Sequence, residues 1–241
     1  MKFSKELKRI ARENLIGKYR IAMGALLITF LIPLIIEFPF SNLVSSDSPS
    51  PIQKGVYFVV ELLIALISGV LSIGINYIHL NISRKKDISF GDVFVCFKSQ
   101  TDRYIIGYAI YLLICVIAAI PGLAALYFAR RSSDINTSIL CIALIIISLI
   151  LEIIVSVVYG LLFYVMIDNQ DLPVNKCFST ARSLIKHKKG KLFYIILSFI
   201  GLELLGILSF GIGLLWVEPY KQQTITSFYR SACGELFDAY S

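Results

Sequence analysis

Four carboxylates stand where carboxylates are costly. Glu61, Glu152, Glu203 and Glu218 each lie inside a long apolar stretch, and Lys221 follows Glu218 by three residues. An acid in hydrocarbon marks a functional site by default. Three chemistries fit these groups. They can pair with one another or snorkel to the interface, line a proton or cation pathway, or recognise a cationic or lipid headgroup. Glu218 and Lys221 are spaced for an intrahelical ion pair. The candidate intramembrane polar site is therefore Glu61, Glu152, Glu203, Glu218 and Lys221, with Asn76 and His79 as further polar groups in the second stretch.

The elements that must position them are legible from the missing charges. Apolar stretches cover Ile21–Ile36, Val56–Leu80, Tyr104–Ala129, Ile139–Ile167, Leu192–Phe210 and Ile212–Phe228. All but the first and last come near or exceed the roughly 20 residues that cross a hydrocarbon core. They show no period-2 alternation, so helices rather than a barrel satisfy the backbone in lipid. The expectation is an all-α polytopic bundle of about six spans. Of 241 residues, 57% are hydrophobic and 16% charged, with mean hydropathy +0.77. A soluble domain would carry about 25% charged residues. The whole chain, 1–241, reads as one membrane domain: a basic helix over 1–20, a bundle over 21–231 and a short tail over 232–241.

Topology accounts for the net charge of +7. Seven Lys and Arg residues lie in Met1–Arg20, five in Ser83–Arg103 and six in Asp168–Lys191, whereas the alternate loops hold Lys54, Arg130 and Arg131. The positive-inside rule puts both termini and both basic loops in the cytoplasm. On this count Glu61, Glu203 and Glu218 fall in the outer half of the membrane and Glu152 nearer the midplane, so the four acids are candidates for one outward-facing cavity. The first stretch lacks a small-x-small cleavage site and is expected to remain as a span. The cysteines, Cys96, Cys115, Cys141, Cys177 and Cys233, are odd in number and show no metal spacing, so reduced thiols and no disulfide are expected.

Three cytoplasmic segments read as amphipathic helices. In Phe3–Leu15, apolar Phe3, Leu7, Ile10, Ala11 and Leu15 alternate with Lys5, Lys8, Arg9 and Arg12, a pattern suited to an anionic membrane surface. Ser89–Phe97 opens on a Ser89/Asp92 capping box, with Phe90, Val93, Phe94 and Phe97 on one face. Pro173–Ile185 carries a stripe of Val174, Cys177, Phe178, Ala181, Leu184 and Ile185. Asp87-Ile88-Ser89-Phe90 lines up with Asp171-Leu172-Pro173-Val174, a weak internal repeat. The cluster Lys186, Lys188, Lys189 and Lys191 joins Lys5, Lys8, Arg9 and Arg12 as candidate contacts to anionic lipid. Pro121-Gly122 is expected to kink the third span.

Several blocks also carry a resemblance. Glu6-Leu7-Lys8, Ala11-Arg12-Glu13 and Ile21-Ala22-Met23-Gly24-Ala25 resemble the N-terminus of the bacterial "domain of unknown function 975" membrane proteins. So do Leu80-Asn81-Ile82-Ser83-Arg84, Ser89-Phe90 with Asp92-Val93-Phe94, and the polar turn Asp168-Asn169. The C-terminal block is similar too: Leu197 to Gly201, Phe210-Gly211-Ile212-Gly213, Trp216, Pro219-Tyr220 and Phe228-Tyr229. The chain departs from the family pattern at Leu202, Glu203, Glu218 and His187-Lys188-Lys189, and around Ala129–Glu152. The resemblance implies an integral protein of the bacterial cytoplasmic membrane and, more distantly, likeness to the membrane domain of glycerophosphodiester phosphodiesterases.

No Walker loop, His-Glu-x-x-His, Gly-x-Ser-x-Gly or metal-ligand cluster is present in the sequence. The functional expectation is a non-catalytic envelope protein without cofactor or metal. It would handle lipid or assist export, with anionic lipid headgroups and an ABC-type exporter or other membrane protein as partners and no nucleic acid. The alternative is a proton- or cation-coupled transporter that uses the glutamates.

Overall fold

A computed structural model of the chain describes residues 2–41, 50–131 and 134–236. Residues 42–49 after the first stretch lie outside the described residues, as do Ser132, Ser133 and residues 237–241 of the expected tail. Among the described residues every regular element is helical: α1 (Lys2–Leu15), α2 (Tyr19–Ser41), α3 (Pro51–Ser83), a 3-10 helix over Phe90–Phe94, α4 (Val95–Lys98), α5 (Thr101–Ala129), α6 (Ile135–Tyr159), α7 (Leu162–Asp168), α8 (Val174–Ile185), α9 (Lys189–Leu197), α10 (Ile200–Leu208) and α11 (Leu214–Ala232). The all-α class follows from the apolar stretches.

Five segments are long and apolar enough to cross a membrane: Tyr19–Phe40, Pro51–Ser83, Thr101–Ala129, Ile135–Asp168 and Lys189–Leu208. They make this a multi-pass membrane protein. Their outer faces are exposed Leu, Ile and Phe, as Leu113, Ile117, Leu126, Ile146 and Ile150 illustrate. Such a surface is stable against lipid and not against water.

The sixth stretch differs from the rest. In α11, Gln223, Thr224, Thr226, Ser227, Phe228 and Tyr229 are all buried. Its polar side chains are satisfied along the helix and across it. Thr224, Thr226 and Ser227 donate to the carbonyls of Tyr220, Gln222 and Gln223 at 2.8, 2.9 and 3.0 Å. α11 is thus the polar centre that the apolar helices surround. The turn before it puts Phe210 and Gly211 at φ 56° and 82°, which reverses the chain within a few residues.

All three amphipathic segments form short helices; the first and third turn their apolar stripes into the protein, and the second does so in part. Leu7, Ala11 and Leu15 of α1 are fully buried. Phe3 meets Phe228 of α11 edge-on at 6.2 Å. α1 therefore docks on the bundle, where a helix lying on a membrane surface was expected; its stripe matches protein partners along α11. The second segment starts as a 3-10 turn, with Asp92 accepting the Ser89 N–H at 2.8 Å. Val93 and Cys96 face inward, while Phe90 and Phe97 stay exposed. Its backbone sits so close to α3 that a Cβ at Gly74 would overlap the Val93 carbonyl. In α8, Cys177, Phe178, Ala181 and Ile185 are buried.

Pro121 does not end α5, which runs on to Ala129. Ser148 of α6 donates to the Ala118 carbonyl at 3.2 Å, in the turn that the proline loosens.

Candidate functional site

α3 places Ser72, Ile75, Asn76 and His79 at i, i+3, i+4 and i+7, one face of a helix. α11 places Glu218 and Gln222 one turn apart on the facing side, and α2 adds Ala22 and Leu26 at the same spacing. With Tyr108 and Tyr111 of α5 and Phe163 of α7, these residues enclose a cavity of about 360 Å³.

The floor of the cavity is a hydrogen-bonded ladder between α3 and α11. His79 Nδ1 and Gln223 Oε1 are 2.7 Å apart. With the amide oxygen accepting, Nδ1 carries the proton, and Nε2 is left as the free acceptor of a buried imidazole. Gln222 donates to Asn76 Oδ1 and, at 2.9 Å, to the Tyr164 hydroxyl. That hydroxyl shares a hydrogen bond with Thr226 at 3.0 Å, and the Tyr164 ring stacks on Tyr229 at 5.1 Å. Gln223 Nε2 is buried without a partner.

The walls are aromatic. Tyr108, Tyr111 and Phe163 form one cluster, with centroids 5.5 to 6.3 Å apart. Gly69 makes room for it, because a Cβ there would overlap the Tyr108 ring.

The expected glutamate site is divided. Lys221 bonds Glu203 at 2.7 Å and Glu218 at 3.3 Å, so these three groups are together with one net negative charge. Glu152 is exposed on α6 and lines a separate groove with Ser156, Phe193 and Ile200. Glu61 is half-buried beside Tyr57, which hydrogen-bonds to it. It lies eleven residues before Ser72, roughly 16 Å along the α3 axis. One cavity holding all four acids is therefore not what the fold builds.

Depth differs from the residue count as well. Glu218 shares its cavity with His79, four residues from the end of α3, and with Ala22, three from the start of α2. It thus belongs to the basic half of the bundle, where the count had put it in the outer half. The count assumed straight helices. The chain instead breaks at Ser198-Phe199, between α9 and α10. There Lys8 of α1 reaches the Ser198 carbonyl at 3.3 Å and lies 4.2 Å over the Phe199 ring.

The basic candidates also separate. Lys5, Arg12, Lys186, Lys189 and Lys191 are exposed, with Lys191 4.8 Å over the Phe3 ring. Arg9 pairs with Glu6 and Glu13 on its own helix. Burial, with the nearby Arg12 charge, pulls the Lys8 ammonium below the usual lysine range. Lys188 donates to the Ala232 carbonyl at 3.3 Å and ties the start of α9 to the end of α11.

A second polar cluster at the basic end escaped sequence reasoning. Arg84 clamps Asp168 through two bonds of 2.6 and 2.7 Å and bonds Glu235 at 2.6 Å. Tyr229 donates to Asp168 at 2.9 Å. Arg230 bonds Glu235 at 2.8 Å and caps α3 through the Ser83 carbonyl at 2.5 Å. Arg103 caps α7 in the same manner, through the carbonyls of Met166 and Asn169, both at 2.7 Å. Cations at helix C-termini complement the exposed carbonyls and the dipole. The Asp168 hydrogen bond raises Arg84 above the usual guanidinium range. The only sequence signal was that Arg84 and Asp168-Asn169 fall in the family blocks. Burial in the hydrophobic core pushes the Cys96 thiol up to about 12, so it is an inert packing group.

Among the described residues no group of three or more His, Cys, Asp or Glu side chains is placed to hold a metal. The chain matches the family described as "Protein of unknown function (DUF975)" over residues 1–234. No curated protein and no solved structure matches it.

Proposed function

The chain belongs to the DUF975 family, and from that premise we propose that it is a non-catalytic lipid-handling protein that takes the polar end of a lipid into the cavity between α2, α3, α5 and α11. One observation carries this reading. The cavity is two-faced, with Asn76, His79, Gln222 and Glu218 polar and Ala22, Leu26 and Ile75 apolar. Its volume of about 360 Å³ suits a headgroup and not a whole lipid. Acyl chains would stay among the exposed Leu and Ile of the helix exteriors. The reading places it in a bacterial cytoplasmic membrane, as the family resemblance implies, and the sorting of Lys and Arg supports having the basic end inside. Exposed Lys5, Arg12, Lys186, Lys189 and Lys191 would contact anionic headgroups there.

The test is lipid retention. Protein purified in mild detergent should keep tightly bound lipid through delipidation. Ser72→Phe, which fills the cavity, should lose it at unchanged fold. Equal lipid content in the two proteins would sink the reading.

A second reading, a proton- or cation-coupled transporter, draws on the Glu203–Lys221–Glu218 group and its net charge of −1. It requires Glu218-dependent ion flux in proteoliposomes, and flux unchanged by Glu218→Gln removes it.

A further inference from the structure

The cavity has a chemical preference that its shape alone does not reveal. Its donors are mostly taken by the protein. Both amide hydrogens of Gln222 go to Asn76 and Tyr164. The Ser72 hydroxyl donates to the Gly69 carbonyl at 2.7 Å. With the Gln223 amide oxygen accepting, the Nδ1 proton of His79 goes to it at 2.7 Å. Asn76 keeps its N–H groups for a neutral or anionic part of a ligand. Beside those N–H groups and the hydroxyls of Tyr108 and Tyr111 stand two acceptors, His79 Nε2 and the Glu218 carboxylate, and the carboxylate is the lining group that carries a charge.

The charge balance points the same way. Lys221 sits closer to Glu203, at 2.7 Å, than to Glu218, at 3.3 Å. Two carboxylates share one ammonium, and Glu218 is the member that lines the cavity. The remaining charge is negative and faces the space a ligand would fill.

The aromatic wall completes the case. Tyr108, Tyr111 and Phe163 line that same space and pack on one another with centroids 5.5 to 6.3 Å apart. Ring faces attract a desolvated cation, and the attraction grows as water is excluded. Three aromatic side chains beside a carboxylate and an imidazole acceptor suit a group that is cationic and bears N–H bonds.

We propose that the cavity selects an organic ammonium group bearing N–H bonds, held by the rings of Tyr108, Tyr111 and Phe163 and by hydrogen bonds to Glu218 and His79. This rests on the reading of the cavity as the ligand site. The ammonium can belong to an ethanolamine-type lipid headgroup or to a free alkylamine, and both present the same chemistry.

The experiment is thermal stabilisation of the full chain in detergent by three probes. These are lyso-phosphatidylethanolamine, decylamine and, as the anionic counterpart, lyso-phosphatidylglycerol. The ethanolamine lipid, decylamine or both should raise the melting temperature, and the glycerol lipid should not. Stabilisation by the ethanolamine lipid alone assigns the ammonium to a headgroup, and by decylamine alone to a free amine; either supports the proposal. Glu218→Gln and, separately, Tyr111→Leu should each raise the half-saturating concentration about tenfold or more. Glu218→Gln leaves the Lys221–Glu203 pair in place, and the melting temperature without probe reports its fold. Two results overturn the proposal: the glycerol lipid stabilising as well as the amines, or both variants responding like the parent. Ser72→Phe separates the two failures. If it abolishes an unselective response, the cavity holds lipid without preferring ammonium. If it changes nothing, the cavity is not the site and both readings fall.

Discussion

Arg84, the C-cap of α3, and Asp168, the last residue of α7, face each other as a two-bond ion pair at 2.6 and 2.7 Å. Arg84 stands three residues before Asp87 and Asp168 three residues before Asp171, the aspartates that head the two similar segments of the chain. The pair staples α3 and α7 together at their basic ends.

Both side chains are largely shielded, at 23% and 18% exposure. Arg84→Ala leaves Asp168 with the Tyr229 hydroxyl, and Asp168→Ala leaves Arg84 with Glu235. Each change should cost about 1.5–3 kcal/mol, the range for hydrogen bonds to charged groups. The arginine variant should suffer more, because it strands the better-buried charge. Melting temperatures of the two single variants and the double variant decide this. Additive effects in the double would show that the residues do not interact.

Glu235 makes the cluster sensitive to acid. Burial raises its carboxyl pKa, but the hydrogen bonds and charges of Arg84 and Arg230 outweigh it, and the net shift is downward. A depressed carboxyl contributes stability that is present above its unfolded value of 4.5 and is lost as pH falls through the lower folded value. The melting-temperature gap between the parent and Glu235→Gln should therefore be constant near neutrality and close below about pH 4.5. A gap unchanged at low pH would contradict the role given to Glu235.

α1 is held chiefly by its stripe, with Lys8 as one charged tie to Ser198 and Phe199. Leu7 is fully buried, so Leu7→Ala should cost about 2–5 kcal/mol. Lys5→Ala, on the exposed face, should stay within about 0.5 kcal/mol. Thermal melts in a zwitterionic detergent make the comparison without anionic lipid. A tolerated Leu7→Ala there would mean that the stripe packs on lipid rather than on α11.

Lys221 is the keystone of the acid group. Lys221→Met removes the ammonium that both Glu203 and Glu218 share. Two carboxylates are then left in a poorly solvated site, a penalty larger than that of removing either acid. The order of yield and melting temperature should be parent first, then Glu203→Gln, then Lys221→Met. The triple variant Glu203→Gln, Glu218→Gln, Lys221→Met should recover much of what Lys221→Met loses. No recovery in the triple variant would assign the loss to packing of the lysine stem.

The helical class and the three amphipathic stripes were readable from sequence because both are local. A run of some twenty apolar residues has one way to satisfy its backbone in lipid. A period of 3.6 residues shows which side chains share a face, hence the foresight about Leu7, Ala11 and Leu15 of α1 and Cys177, Phe178, Ala181 and Ile185 of α8. The Glu218–Lys221 pair was legible for the same reason, being one turn of one helix. Periodicity says nothing of what a face meets. It could not tell that the α1 stripe packs on α11, since lipid and protein interiors favour the same side chains. The cavity is non-local throughout: His79 meets Gln223, 144 residues away, and Asn76 meets Gln222, 146 away. Polar residues at 72, 76 and 79 marked one face of α3, and Gln222-Gln223 interrupted the last stretch, but nothing local matched the one to the other. Only the packing of α11 against α3, after the chain breaks at Ser198-Phe199 and reverses at Phe210-Gly211, decides that Glu203 and Glu218 belong together and that Glu61 and Glu152 do not.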